Sequence, residues 1–287
     1  MHVPQFRISR RSLTIATTLA GVLSVVIGAH AALNMRALDA AKAIATAQDD
    51  AATPHTSRIA LVIGNGRYPD ASAPLAQPIN DARALTASLR RDGFEVDVVE
   101  DASKDDMNRA VARLKSRIRP DSVVMLFFGG YGVQAGRESY MMPVDAAIWK
   151  EADVRRDGVS VEAVLDVMKE RGARAKLVVI DASRRNPYER RFRAFSHGLA
   201  PINAPDNALI LSSATPGQVA DDSPGANSVL MAELLNNLNG QTGQGIESSF
   251  NKTRVAISRS SEGVQVPSVS SSLMEDVRFS ATENAGG

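Results

Sequence analysis

Short apolar runs recur along the chain, each closed by glycine or a polar cluster and separated from the next by a stretch with helical spacing. After Arg58 the run IALVIG reads as a buried strand ending at Gly64, and Asn65-Gly66 has the composition of a turn. Residues 79–91 repeat apolar positions at helical intervals (Ile79, Ala82, Leu85, Leu89); Gly93 ends that helix, and residues 94–100, FEVDVVE, read as a second strand. Met107, Val111, Leu114 and Ile118 mark another helix face before a third strand, SVVMLFF. Farther on, residues 159–171 are expected to be helical, AKLVVIDA a fourth strand, NALILSSA a fifth, and residues 227–238 another helix. Beyond residue 258 no period is clear except near residues 272–277, and residues 280–287, ending ATENAGG, read as a disordered tail. Buried strands alternating with helices predict an α/β fold: a mainly parallel central sheet covered on both faces, three layers in all.

Ahead of this series the pattern changes. Arg7, Arg10 and Arg11 precede an uncharged stretch from Leu13 to Ala29, with His30 breaking the apolar run before Leu33. A positive flank before an apolar segment favours keeping that flank in the cytoplasm and carrying the downstream chain across the membrane. Residues 1–33 therefore read as a signal peptide or a membrane anchor. Ala29-His30-Ala31 suits signal-peptidase cleavage, and Ser9-Arg10-Arg11-Ser12-Leu13 is similar to a twin-arginine leader. A retained anchor is also compatible with an apolar stretch at the lower edge of spanning length. Residues 34–57, rich in alanine, threonine and aspartate, read as a spacer, and the folded domain as residues 58–279.

Charge removes one class of partner. Of 33 Lys/Arg and 32 Asp/Glu, five basic and three acidic groups lie in residues 1–57, so the folded part is nearly neutral and not built to hold nucleic acid by charge. The chain of 287 residues suffices for one substantial core. It contains no cysteine, which excludes disulfides, thiolate metal sites and a cysteine nucleophile.

In open sheets of this type, ligands gather beyond the carboxyl ends of the strands. Three such ends carry candidate chemistry: Gly64-Asn65-Gly66-Arg67-Tyr68, Gly129-Gly130-Tyr131-Gly132 and Asp181-Ala182-Ser183-Arg184. None has the glycine spacing of a dinucleotide fingerprint, and no Lys-Ser/Thr pair succeeds them to hold phosphate and magnesium.

The segments RIALVIGNGRY, PINDARAL, LFFGGYGVQAGRESYMMPVDA, LVVIDASRRNP and QVPSVSSSL together resemble the caspase-like peptidases (peptidase C14), the bacterial metacaspases and orthocaspases in particular, over about residues 58–279. The resemblance implies the caspase-like sandwich, with a histidine at the end of the third strand and a cysteine at the end of the fourth. Carried onto this chain, those positions are Tyr131 and Ser183, separated by 52 residues, close to the roughly 50-residue interval of that architecture. Both dyad members are replaced. Serine needs a base tuned near neutrality, and a tyrosine of pKa about 10 does not supply one at neutral pH. Tyr131 and Ser183 are therefore expected to make a polar structural contact rather than a catalytic pair. Of the four histidines only His197 falls in the domain, and the family pattern gives it no catalytic role.

The resemblance also implies acidic groups that select arginine or lysine in the residue before the cleaved bond. Asp181 matches one, and Asp221 or Asp222 the other, so a basic-peptide pocket is expected to outlast the dyad. Asp81 reads as an internal hydrogen-bond anchor. Gly129, Gly130 and Gly132 either leave backbone donors open at the former active site or serve a tight turn. Residues 184–193, RRNPYERRFR, read as a solvated loop or a partner-binding face. Some of these relatives use calcium, but Asp105-Asp106 and Asp221-Asp222 lack an EF-hand ladder, so neither metal nor cofactor is expected. The resulting expectation is a catalytically impaired pseudopeptidase that binds a peptide or protein at the bacterial envelope, in the periplasm or on the periplasmic face of the inner membrane. The alternatives are a serine-dependent endopeptidase cutting after Arg or Lys, and a structural envelope interaction protein.

Overall fold

The apolar run after Arg58 forms β1 (Arg58–Gly64), with every residue from Ile59 onward buried, because it pairs with a strand on either side. Those neighbours are β2 (Glu95–Glu100) and β3 (Val123–Gly129), both parallel to it. The sheet continues through β7 (Ala175–Asp181) and β8 (Ala208–Ser212), also parallel, to an antiparallel edge, β9 (Ser268–Ser271). The computed structural model describes residues 56–69, 74–183, 198–220, 225–239 and 244–279. The expected leader and spacer up to His55, the 184–193 segment, His197, Asp221, Asp222 and the 280–287 tail lie outside the described residues.

Side-chain alternation along the strands divides the core into two layers. Ile59, Leu61, Ile63, Val124, Leu126 and Phe128 pack on one face with α2 (Lys104–Arg117) and α4 (Val161–Glu170). Ala60, Val62, Met125, Phe127, Leu177 and Val179 pack on the other with α1 (Gln77–Arg91), α5 (Val229–Asn239) and α6 (Ile246–Ser260). Helices, sheet and helices make the three layers that the sequence pattern predicts. A smaller antiparallel sheet of β4 (Gly132–Ala135), β5 (Glu138–Met141) and β6 (Val159–Ser160), with α3 (Glu151–Asp157), encloses a third cluster around Tyr68, Tyr140 and Met142. Among the described residues no helix is long and apolar enough to cross a membrane.

Three local differences from the sequence expectation have physical causes. The helix expected from residue 159 starts at Val161, because Val159 and Ser160 pair with β5 and the Ser160 hydroxyl accepts the Ala163 N–H as a cap (3.1 Å). Helix α6 has no counterpart in the sequence pattern: its buried stripe of Ile246, Ser249, Phe250, Thr253 and Ile257 is narrow and partly polar. The polar strand β9 also carries no alternating signal and is held by pairing with β8.

Candidate functional site

Strands β1, β3 and β7 end at one rim, where Gly64, Gly129 and Asp181 are successive register partners. Cross-strand partners share a face, here the face that α1 covers. The first two are glycine for a steric reason. A Cβ at Gly64 would lie 2.5 Å from the Pro78 carbonyl oxygen and 2.9 Å from Ala82 Cβ, and one at Gly129 would lie 3.3 Å from Pro78 Cα. The start of α1 thus presses directly on the rim, and Asp181 projects on the same side.

Asp81, four residues into α1, is wholly buried. Its Oδ1 accepts hydrogen bonds from Asn227 Nδ2 (2.7 Å) and the Ser228 N–H (3.0 Å). Nearby, Asn80 Nδ2 donates to the Ala226 carbonyl (2.9 Å) and Gln77 Nε2 to that of Gly225 (3.4 Å), so α1 ties down the segment leading into α5. Asp81 is the internal anchor that its motif predicts, and it is also electrostatically perturbed. Burial first, and then the field of Asp181, raise its pKa from 3.8 to about 6, against the lowering effect of the Asn227 and Ser228 bonds. Asp181 is 3% exposed. Asp81 Oδ2 and Asp181 Oδ2 are both buried without a hydrogen-bond partner among the described residues, a condition that costs about 1–3 kcal/mol per neutral group and more for a charge.

Asp181 therefore has an acidic companion that its sequence motif does not assign to it. The fold brings up Asp81, while the two acids expected in that role, Asp221 and Asp222, lie outside the described residues. PINDARAL singles out Asp81 in the sequence, but only strand register and the placement of α1 show which face it shares.

At the neighbouring strand end, every backbone donor from Gly130 to Gly132 is in use. The Gly130 N–H donates to the Asp181 carbonyl (3.2 Å), the Tyr131 N–H to the Tyr68 hydroxyl (3.1 Å) and the Gly132 N–H to the Ala182 carbonyl (3.0 Å). The reading that left these donors open therefore does not hold, and the glycines permit a close approach that neither expected reading named. A Cβ at Gly132 would lie 2.6 Å from Leu199 Cδ2 and 2.9 Å from Ala182 Cβ, and one at Gly130 would lie 2.5 Å from the Tyr68 hydroxyl. These bonds extend the β3–β7 pairing past the strands and hold the chain at Tyr131 against the chain entering Ser183.

The side chains do not complete the pair. The half-buried Tyr131 ring stands edge-on to Tyr68, with centroids 4.8 Å apart and planes at 66°. Ser183 is 1% exposed; its N–H donates to Ser213 Oγ (3.3 Å) and its carbonyl accepts from the Ala220 N–H (2.6 Å). Its Oγ is buried with no partner among the described residues, so the expected Tyr131–Ser183 hydrogen bond is absent. The aromatic contact holds one side chain while backbone tethers hold the other. Among the described residues no histidine occurs and no base is bonded to the Ser183 hydroxyl.

Asn65, expected in a turn, is instead a buried cross-link. Its Oδ1 accepts the Ala102 N–H (2.8 Å) and its Nδ2 donates to the Met142 carbonyl (3.1 Å), joining the rim of β1 to both flanking loops. The Tyr68 hydroxyl reaches the same carbonyl at 2.9 Å. Asn65→Ala would strand the Ala102 donor and is expected to cost about 2 kcal/mol in urea unfolding. Asp106, one of the acids considered for calcium, caps α2 through Ser103 and pairs with Arg109 at 2.6 Å. Among the described residues no three acids or histidines gather as a metal site.

Comparison with known proteins agrees with this architecture. Residues 57–278 match the model of the caspase domain family. Human mucosa-associated lymphoid tissue lymphoma translocation protein 1 is 28% identical over 133 residues, and its mouse homologue 29% over the same length. The aligned stretch is 46% of this chain and 16% of either relative. A family model spanning most of the chain establishes that the protein belongs to the caspase family, as a member without a single cysteine to act as nucleophile.

Proposed function

We propose that the protein is a pseudopeptidase related to the bacterial metacaspases and orthocaspases, in which Tyr131 and Ser183 occupy the positions of the family histidine and cysteine. It uses the acidic rim to bind a peptide or protein through an arginine or lysine side chain. The observation that carries this reading is the pair of buried carboxylates, Asp81 and Asp181, each with an oxygen that nothing among the described residues donates to. A guanidinium or ammonium group supplies those donors and the compensating charge, and charge-assisted bonds are the strong ones. The arginine-rich leader and the apolar segment after it support a role for this binding module at the bacterial envelope, exported or anchored.

The serine-dependent peptidase reading receives less support, since the Ser183 hydroxyl is buried without a base among the described residues. The two readings separate in one comparison. The full chain is expected to bind a capped arginyl tripeptide without hydrolysing it, and Asp181→Asn to weaken that binding at least about tenfold. Ser183→Ala is expected to leave binding unchanged. Turnover that disappears in a folded Ser183→Ala protein would establish the peptidase. Binding that ignores both Asp181→Asn and the replacement of arginine by citrulline would dismiss the basic pocket.

A further inference from the structure

The basic-side-chain reading says what the rim accepts. The arrangement of its two acids says what controls acceptance. Asp81 and Asp181 lie on the same face of the sheet, on α1 and at the end of β7, both buried and each with one unpartnered oxygen among the described residues. Two carboxylates in such a place cannot both ionise cheaply without a cation. We propose that Asp81 and Asp181 form a proton-exchanged cation site: in mildly acidic solution the empty pair retains a proton, and on occupation it releases that proton to solvent and takes a guanidinium or ammonium group in its place.

Among the described residues, the surroundings leave this exchange to the pair itself. From the segment before α5 Asp81 meets Asn227 and Ser228, which are neutral donors, and from β1 and β3 its side of the rim carries Gly64 and Gly129. From β7 it meets Asp181, the one charged group among the described residues whose field bears on it appreciably. Arg83, the cation nearest along α1, is committed to Glu100 at 2.7 Å at the exposed edge. Next to Asp181, the end of β8 contributes Ser212 and Ser213, which do not titrate. The raised pKa of Asp81 is the electrostatic counterpart of this geometry and locates the exchange near pH 6.

This inference rests on the basic-pocket reading, and one experiment separates their failures. The full chain is titrated calorimetrically with acetyl-Ala-Ala-Arg-amide between about pH 5 and pH 7.5, in pairs of buffers with different ionisation enthalpies, with the citrulline analogue as neutral control. The expected result is release of about half a proton per binding event near pH 6, and affinity about tenfold weaker at pH 5 than at pH 7. Asp81→Asn keeps the acceptor for Asn227 and Ser228 and is expected to bind more weakly, with no proton release and no pH dependence across that range. Asp181-dependent binding of the arginyl peptide with no proton release in wild type would overturn the exchange and leave the basic pocket standing. No binding at any pH would overturn both.

Discussion

The double variant Tyr131→His/Ser183→Cys is expected to cleave capped arginyl substrates about 10³-fold or more above wild type, while each single variant stays near background. The expectation comes from what the rim retains. The bonds from Gly130 to the Asp181 carbonyl and from Gly132 to the Ala182 carbonyl hold the chain at Tyr131 beside the chain entering Ser183, the two positions proposed for the family dyad. What is missing is chemical: an imidazole to take a proton and a sulfur that ionises near neutrality. Nucleophile and base act as a unit, and losing one costs nearly as much as losing both, so restoring one gains little. Release of a fluorescent amine from an arginyl substrate measures the rate. Because the parent chain has no cysteine, one equivalent of iodoacetamide reports solely on position 183. A folded double variant that alkylates there but remains at background would show that these positions are not the family dyad.

The second large effect concerns stability. Asp81→Asn is expected to raise unfolding free energy at about pH 7.5 by ~2 kcal/mol and to change it little near pH 4. The sign is set by the upward shift, from 3.8 in the unfolded chain to about 6 in the fold. Below 3.8 both states hold the proton. As pH rises from there to about 6, the unfolded chain gives the proton up first, so native stability falls, and above about 6 the loss is complete at ~3 kcal/mol. An asparagine never pays this charge penalty. Its Oδ1 keeps both existing hydrogen bonds, and its amide nitrogen replaces Oδ2, which has no partner among the described residues. Urea unfolding at the two pH values is the measurement, and equal destabilisation at both would reduce Asp81 to a hydrogen-bond anchor alone. A more stable protein with weakened cation binding is the signature of a site held under strain for function.

Much of the architecture is legible in order along the chain. The runs that form β1, β3, β7 and β8 are continuous and apolar because parallel strands covered on both faces have no solvent side. Gly64 and Gly129 announce the rim, and Tyr131 and Ser183 fall at the ends of adjacent strands. Legibility fails where burial is not apolar. Helix α6 buries Ser249 and Thr253 along with Phe250, and β9 is a run of serines around one valine, so neither shows a period that a sequence reading can trust. Asn65 fails for the opposite reason. Asn-Gly is turn chemistry by composition, but a buried amide with donors and acceptors on both sides becomes a cross-link.

The α/β alternation, the punctuation that places chemistry at strand ends and the absence of sulfur chemistry are all written in the residues themselves. Each is local, set by side-chain type and spacing along a few turns or strand residues. Three features come instead from the assembled fold: Asp81 and Asp181, 100 residues apart, share one face; the donors of Gly130 to Gly132 close on neighbouring chain; and Tyr131 packs on Tyr68 instead of bonding to Ser183. These depend on strand register and on how closely α1 can press on glycine. The charge state of a carboxylate depends in turn on what else is buried beside it, and that is a property of packing, not of any one segment.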